Sequence, residues 1–132
     1  MTATLAALLL FNAAVAEYRA VALPDMRIFV GVQPGPVNEG EHHWAWAKCI
    51  PESGVFVVQV AEQTLRRNES ESQAVMEVRL RFAAAHEVCH VKLHAQAICA
   101  GVIQLQHPAR RQEIEDEANH CAIELLAMAS GR

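Results

Sequence analysis

The stretch Ala83-Ala84-Ala85-His86-Glu87-Val88-Cys89-His90-Val91-Lys92-Leu93-His94 decides how the rest of the chain is read. It holds H-E-x-x-H inside an apolar run without Gly or Pro, which predicts a helix. Residues four apart lie on one helix face, one turn above each other. His86 and His90 can therefore offer two imidazole nitrogens to one metal ion. Glu87, one step round the helix, lies beside that ion, where it could hold a water. This is the pattern of a zinc-dependent hydrolase. Phe82 to Ala85 before the motif, and Val91 and Leu93 after it, predict burial on most sides. Two imidazoles and a carboxylate are costly there without a partner such as a metal. The plainer reading is a helix whose histidines are only partly buried polar residues.

A zinc site needs a third protein ligand, and a catalytic one leaves the fourth position to water. The candidate lies in Glu113-Ile114-Glu115-Asp116-Glu117-Ala118-Asn119-His120-Cys121-Ala122-Ile123-Glu124-Leu125-Leu126. Glu115 and Asn119 are four apart on one helical face, so Glu115 could coordinate while Asn119 reaches a ligand histidine's second ring nitrogen. Glu117 and Glu113 compete with Glu115 for this role. All three also fit an acidic first turn complementing the helix macrodipole. His94 lies about 12 Å along a continuous helix from His86, so one ion cannot reach both. It is expected to line the cleft or pack at the helix end.

HEVCHVKLH followed by E-D-E-A-N resembles the ImmA/IrrE type of metallopeptidase, within the gluzincin-like zincins. That family's pattern is H-E-x-x-H, commonly with a further His four residues on, then E-x-x-A-N opening a helix that ends in a Leu-Leu pair. The resemblance implies His86, His90 and Glu115 as zinc ligands, Glu87 as catalytic base and Asn119 as the residue behind a ligand. It is strong over the C-terminal half, while the first seventy residues agree in general layout. Leu125-Leu126 is followed by Ala127-Met128, where the family usually has Met-Pro. The resemblance further implies a regulatory protein substrate, such as a helix-turn-helix repressor.

At 132 residues with 52% apolar side chains, the chain is expected to form one zincin-like domain over residues 1–132. A net charge of −4 and the absence of a basic stripe argue against direct nucleic-acid binding. Cysteines at 49, 89, 99 and 121 form no C-x-x-C pair, which disfavours a Cys-rich zinc site. They are expected to be reduced thiols in a cytoplasmic protein, with Cys89 and Cys121 serving as small buried hydrophobes. Residues 5–16 are apolar and Ala14-Val15-Ala16 resembles a signal-peptidase site, yet no Lys or Arg precedes the run. The run is too short to span a bilayer, so no membrane segment is expected. Secretion, with residues 1–16 as a leader, is the alternative.

The predicted order is an α+β zincin core of helix, three strands, active-site helix and glutamate helix. Residues 3–20 form an Ala/Leu-rich helix covering one sheet face. Residues 27–32, 42–49 and 55–60 read as strands, the last two paired as a hairpin about the turn at 50–54. Trp44 and Trp46 are expected to pack one sheet face, with a peptide side-chain pocket as the alternative. His42 and His43 fall at a strand end, from which either could reach the cleft as a transition-state donor. Residues 66–72 are polar and turn-like, and Ser70 to Gln73 has capping-box spacing, so the active-site helix should run from about 71 to 97. Ala100-Gly101 breaks it. Residues 101–107 connect, with strand character at 102–105. Pro108 suits the first turn of a last helix reaching about 129. Ile114, Ala118, Cys121, Leu125 and Met128 form its core stripe.

The function expected from these residues is zinc-dependent hydrolysis of a peptide bond, with the substrate lying extended along an exposed sheet edge for which 55–60 is the candidate strand. No Tyr or Arg is placed for an oxyanion; the one Tyr is Tyr18. The alternative is a non-proteolytic zinc-containing module that binds a protein partner.

Overall fold

The computed structural model of the chain describes residues 3–34, 44–66, 68 and 70–130. Among them are three α-helices and a three-stranded mixed sheet, an α+β arrangement. The expected strand over 42–49 is described from Trp44 on, and His42 and His43 lie outside the described residues.

The long helix, α2 (Gln73–Ala100), runs through the middle of the fold. Its start is one residue pair later than the capping-box spacing suggested: Ser72 is the N-cap, its Oγ accepting from the Val75 N–H at 3.2 Å. Its end is set by Gly101, which takes the left-handed conformation at φ 68° that glycine adopts without steric cost. Leu80, Ala84, Ala85, Val88 and Cys89 are fully buried, and the run of alanines lets neighbours approach closely.

Helix α1 (Ala3–Ala22) buries Ala7, Phe11, Ala14, Val15 and Tyr18, a stripe at helical spacing. That stripe packs chiefly on α2 and only secondarily on the sheet, which corrects the expectation that this helix covers a sheet face. An apolar helix finds the alanine-rich face of α2 the closer fit. Residues 4–22 are also long and apolar enough, by length and composition alone, to cross a membrane, longer than the 5–16 run had suggested.

The strands are β1 (Arg27–Gln33), β2 (Ala45–Ile50) and β3 (Val55–Ala61), in spatial order β1-β3-β2. β2 and β3 form the expected antiparallel hairpin, and β1 joins β3 in parallel. The hairpin turn carries positive φ at Glu52 and Gly54, and Ser53 Oγ donates to the Ile50 carbonyl at 2.7 Å while accepting from the Val55 N–H. β3 is thus central, its Phe56, Val58 and Val60 buried, so the expectation that it offers a free edge is overturned. A central place leaves its hydrogen-bonding groups paired on both sides, to β1 and to β2. The edge that faces α2 belongs to β2. Ala61 N–H donates to the Trp44 carbonyl, so by antiparallel alternation the peptide groups of Ala45, Ala47 and Cys49 point away from β3.

After β3 the chain makes a 3-10 turn at Glu62–Leu65, whose Thr64 Oγ donates to the Trp44 carbonyl at 2.8 Å. Arg79 of α2 ties this turn down, donating to Glu71 at 2.9 and 3.0 Å and to the Thr64 carbonyl at 2.8 Å. The strand character expected at 102–105 is not realised: Ile103–Leu105 is a 3-10 turn, too short and without a neighbouring strand to pair with. Helix α3 (Pro108–Ser130) follows, packed along α2. Ile114, Ala118 and Leu125 of the expected stripe are buried, Ala122 joins them, and Cys121 is only partly buried. Met128, expected in the core, is 60% exposed, because Leu126 and Ala129 meet the core in the last turns instead.

All four cysteines are paired, Cys49 with Cys99 and Cys89 with Cys121. This overturns the expectation of free thiols. The Cα atoms lie 5.0 and 5.9 Å apart, within bridging range, but the partners come from elements distant in sequence, which spacing cannot reveal.

Candidate metal centre

His86 and His90 sit one turn apart on α2 with ring centroids 4.5 Å apart, edge to face. α3 brings Glu115 against both: its Oε2 lies 3.0 Å from His86 Nε2 and its Oε1 3.2 Å from His90 Nε2. These ligand atoms all fall within 4.8 Å of one another, so the three residues can hold one metal ion. The two helices pack along each other there, α3 burying Ala118 and Ala122, and the Cys89–Cys121 bridge joins them.

Electrostatics bear out the convergence. Hydrogen bonds from His86 and then His90 hold the Glu115 carboxyl far below the ordinary carboxylate range, despite partial burial. Burial opposes a charge on His86, but the Glu115 hydrogen bond, the Glu87 and Glu115 charges and Asn119 together push its pKa up. Asn119 lies one turn along α3 from Glu115 and acts on His86, but the expected hydrogen bond to the far ring nitrogen of a ligand histidine is not completed. Nδ1 of His86 is buried without one.

Glu87 projects to the side, its Oε2 4.0 Å from His86 Nε2. Burial pushes its pKa up to about 8, with the neighbouring Glu115 charge adding to the shift and His86 and the Ala47 backbone N–H opposing it. That N–H belongs to the outward-facing edge of β2. Its part in the site carries no side-chain signal and could not be read from sequence.

The competing acids are placed elsewhere. Glu113 and Glu117 bind Arg110 Nη1, at 3.2 and 2.8 Å, and neither reaches the two Nε2 atoms. His94 neither lines the cleft nor simply caps the helix end. It is buried, with its Nδ1 3.1 Å from His90 Nδ1. Its position four residues after His90, on the same face, is the signal that announces this contact. Tyr18 is buried in the core between helices and does not line the cleft.

A cleft of about 440 Å³ opens beside the three ligands, walled by Trp44, Ala45, Trp46 and Ala47 on one side and by Phe82, Ile98 and Ile103 on the other. Trp44 is 48% exposed at its rim, with the Arg79 guanidinium 5.9 Å from its ring centre. Both tryptophans thus line the cleft, where a pocket for a peptide side chain was the alternative to packing a sheet face. The Cys49–Cys99 bridge ties β2, one wall, to the end of α2, the other. Comparison with protein-family models, with curated proteins and with solved structures finds no match for this chain.

Proposed function

We propose that the chain is a zinc-dependent metallopeptidase with a minimal zincin core. The single observation that carries this reading is the convergence of His86 Nε2, His90 Nε2 and the Glu115 carboxylate, from two separate helices, beside a buried Glu87. Two imidazoles and one carboxylate are the donor set of catalytic zinc sites that keep a position open. The resemblance of HEVCH and EDEAN to ImmA/IrrE metallopeptidases supports the same assignment. A bound zinc ion would supply Lewis acidity, activating water and polarising a carbonyl oxygen.

The remaining work falls to the chain itself. Glu87 takes a proton on its carboxylate and delivers it to the leaving amine, a role suited by a pKa raised by burial toward working pH. The edge of β2 that points away from β3, and not β3 itself, orients an extended peptide by main-chain hydrogen bonds from Ala45 and Cys49. Trp44, Trp46 and Phe82 exclude water and receive the peptide's side chains. The regulatory substrate, a helix-turn-helix repressor, rests on the resemblance alone.

A non-proteolytic zinc-containing module is the second reading. It draws on the fact that none of the cleft-lining residues among those described is a Tyr, Arg or Lys that could stabilise an oxyanion. Metal quantification and peptide cleavage by wild type and Glu87→Gln separate the two. The peptidase reading expects about one zinc per chain in both proteins and a rate loss of about 10²–10⁴-fold in Glu87→Gln. Zinc binding with equal biological activity in both proteins gives the module reading; no zinc in either removes both.

A further inference from the structure

Building on the metal-site reading above, we infer that His94 is a positioning residue that dictates which nitrogen of His90 is free to bind the metal. His90 can present a lone pair at Nε2 only when its ring proton sits on Nδ1. That Nδ1 faces Nδ1 of His94 at 3.1 Å, with both rings buried. His90 therefore donates and His94 accepts, which places the proton of His94 on its own Nε2. His94 Nε2 is buried without a completed hydrogen bond, and the polar group it faces is Glu117 Oε1, at 3.5 Å. A carboxylate is the acceptor this tautomer calls for. Glu117 is in turn fixed by Arg110 at 2.8 Å.

The opposite arrangement would be self-defeating. With a proton on His94 Nδ1, His90 would have to accept there and turn an N–H toward the ligand cluster. The chain His90–His94–Glu117–Arg110 selects against it. The backbone is shaped to the same end: α2 departs from helical geometry at His94 alone, with φ −128° and ψ 21°, the residue whose ring lies against that of His90 at 5.2 Å between centroids. The Nδ1 atom of His86 has no completed hydrogen bond of this kind among the described residues. Residues that orient a ligand's far nitrogen in this way commonly change metal affinity by about 10–100-fold.

The test is competition of the metal-free full chain with a chromophoric chelator for Zn2+, comparing wild type with His94→Phe and His94→Asn. Phe fills the ring's space without an acceptor, whereas Asn places a carboxamide oxygen near the position of Nδ1. Circular dichroism and thermal melting of each metal-free protein report whether it is folded, and His94→Ala replaces His94→Phe if the latter is not. Zn2+ affinity should fall about 10–100-fold in His94→Phe and stay within about threefold of wild type in His94→Asn. Wild-type affinity in folded His94→Phe or His94→Ala, or equal losses in the Phe and Asn variants, overturns the assignment. Failure of wild type to bind Zn2+ at all instead removes the metal-site reading on which it stands.

Discussion

Glu87 shows how one side chain can be held ready by its surroundings. Its carboxyl is buried against the Ala47 N–H of β2, and its pKa is raised from 4.5 to about 8. Over that interval the metal-free folded chain keeps a proton that the unfolded chain has released. Stability must then fall as pH rises. His86, also raised, acts in the same direction, while His94, lowered chiefly by burial and by the His90 charge, acts oppositely below its ordinary value of 6.5. The clean window is therefore about pH 6.5 to 8, where each proton retained makes a slope of about 1.4 kcal/mol per pH unit. Urea unfolding of the metal-free protein should show wild type losing more stability across this window than Glu87→Gln, which keeps only the His86 contribution. Equal losses in the two proteins would mean that burial of Glu87 does not oppose its charge.

At the scale of elements, α2 owes its length to its two ends. Ser72 satisfies the Val75 N–H at the start, and Gly101 turns the chain out of the helix at φ 68°. A Cβ added at Gly101 meets nothing within 4 Å, so Gly101→Ala isolates the backbone cost of the left-handed conformation. It should lower stability by about 1–2 kcal/mol in denaturant unfolding. Ser72→Ala should cost about 1 kcal/mol by loss of the cap. Both ends lie at least one turn from the three ligands, so Zn2+ affinity should be unchanged in either variant. A loss of affinity with Gly101→Ala would show instead that the C-terminal turn of α2 positions the site.

Over the whole molecule, the two disulfides join the parts between which the cleft lies. Cys89–Cys121 links the helix bearing His86 and His90 to the helix bearing Glu115, and Cys49–Cys99 links β2 to the end of α2. Sequence separations of 32 and 50 residues give each bridge a chain-entropy contribution of about 4 kcal/mol. Replacing either pair by alanines should therefore cost similar stability. Metal affinity should tell them apart: loss of Cys89–Cys121 lets the ligand helices separate and should weaken Zn2+ binding, whereas loss of Cys49–Cys99 should leave it near wild type. Chelator competition on both double variants checks this, and equal affinities would mean that helix packing alone fixes the ligand geometry.

The three helices, the three strand segments and the His86–Glu87–His90 constellation were legible because each depends on local periodicity, four residues in a helix and two in a strand. Glu115 and Asn119 were legible as a pair for the same reason, but the choice between Glu113, Glu115 and Glu117 was not, since all three occupy one acidic stretch. Only the packing of α3 on α2 turned Glu115 to the imidazoles and left the other two with Arg110. The position of β3 at the centre of the sheet and the cysteine pairings were likewise settled by packing. By itself the sequence determined which side chains can share a helix face, because that spacing is a property of the backbone. Which faces meet was decided only in the tertiary structure, where burial of apolar stripes, not sequence proximity, sets what lies next to what.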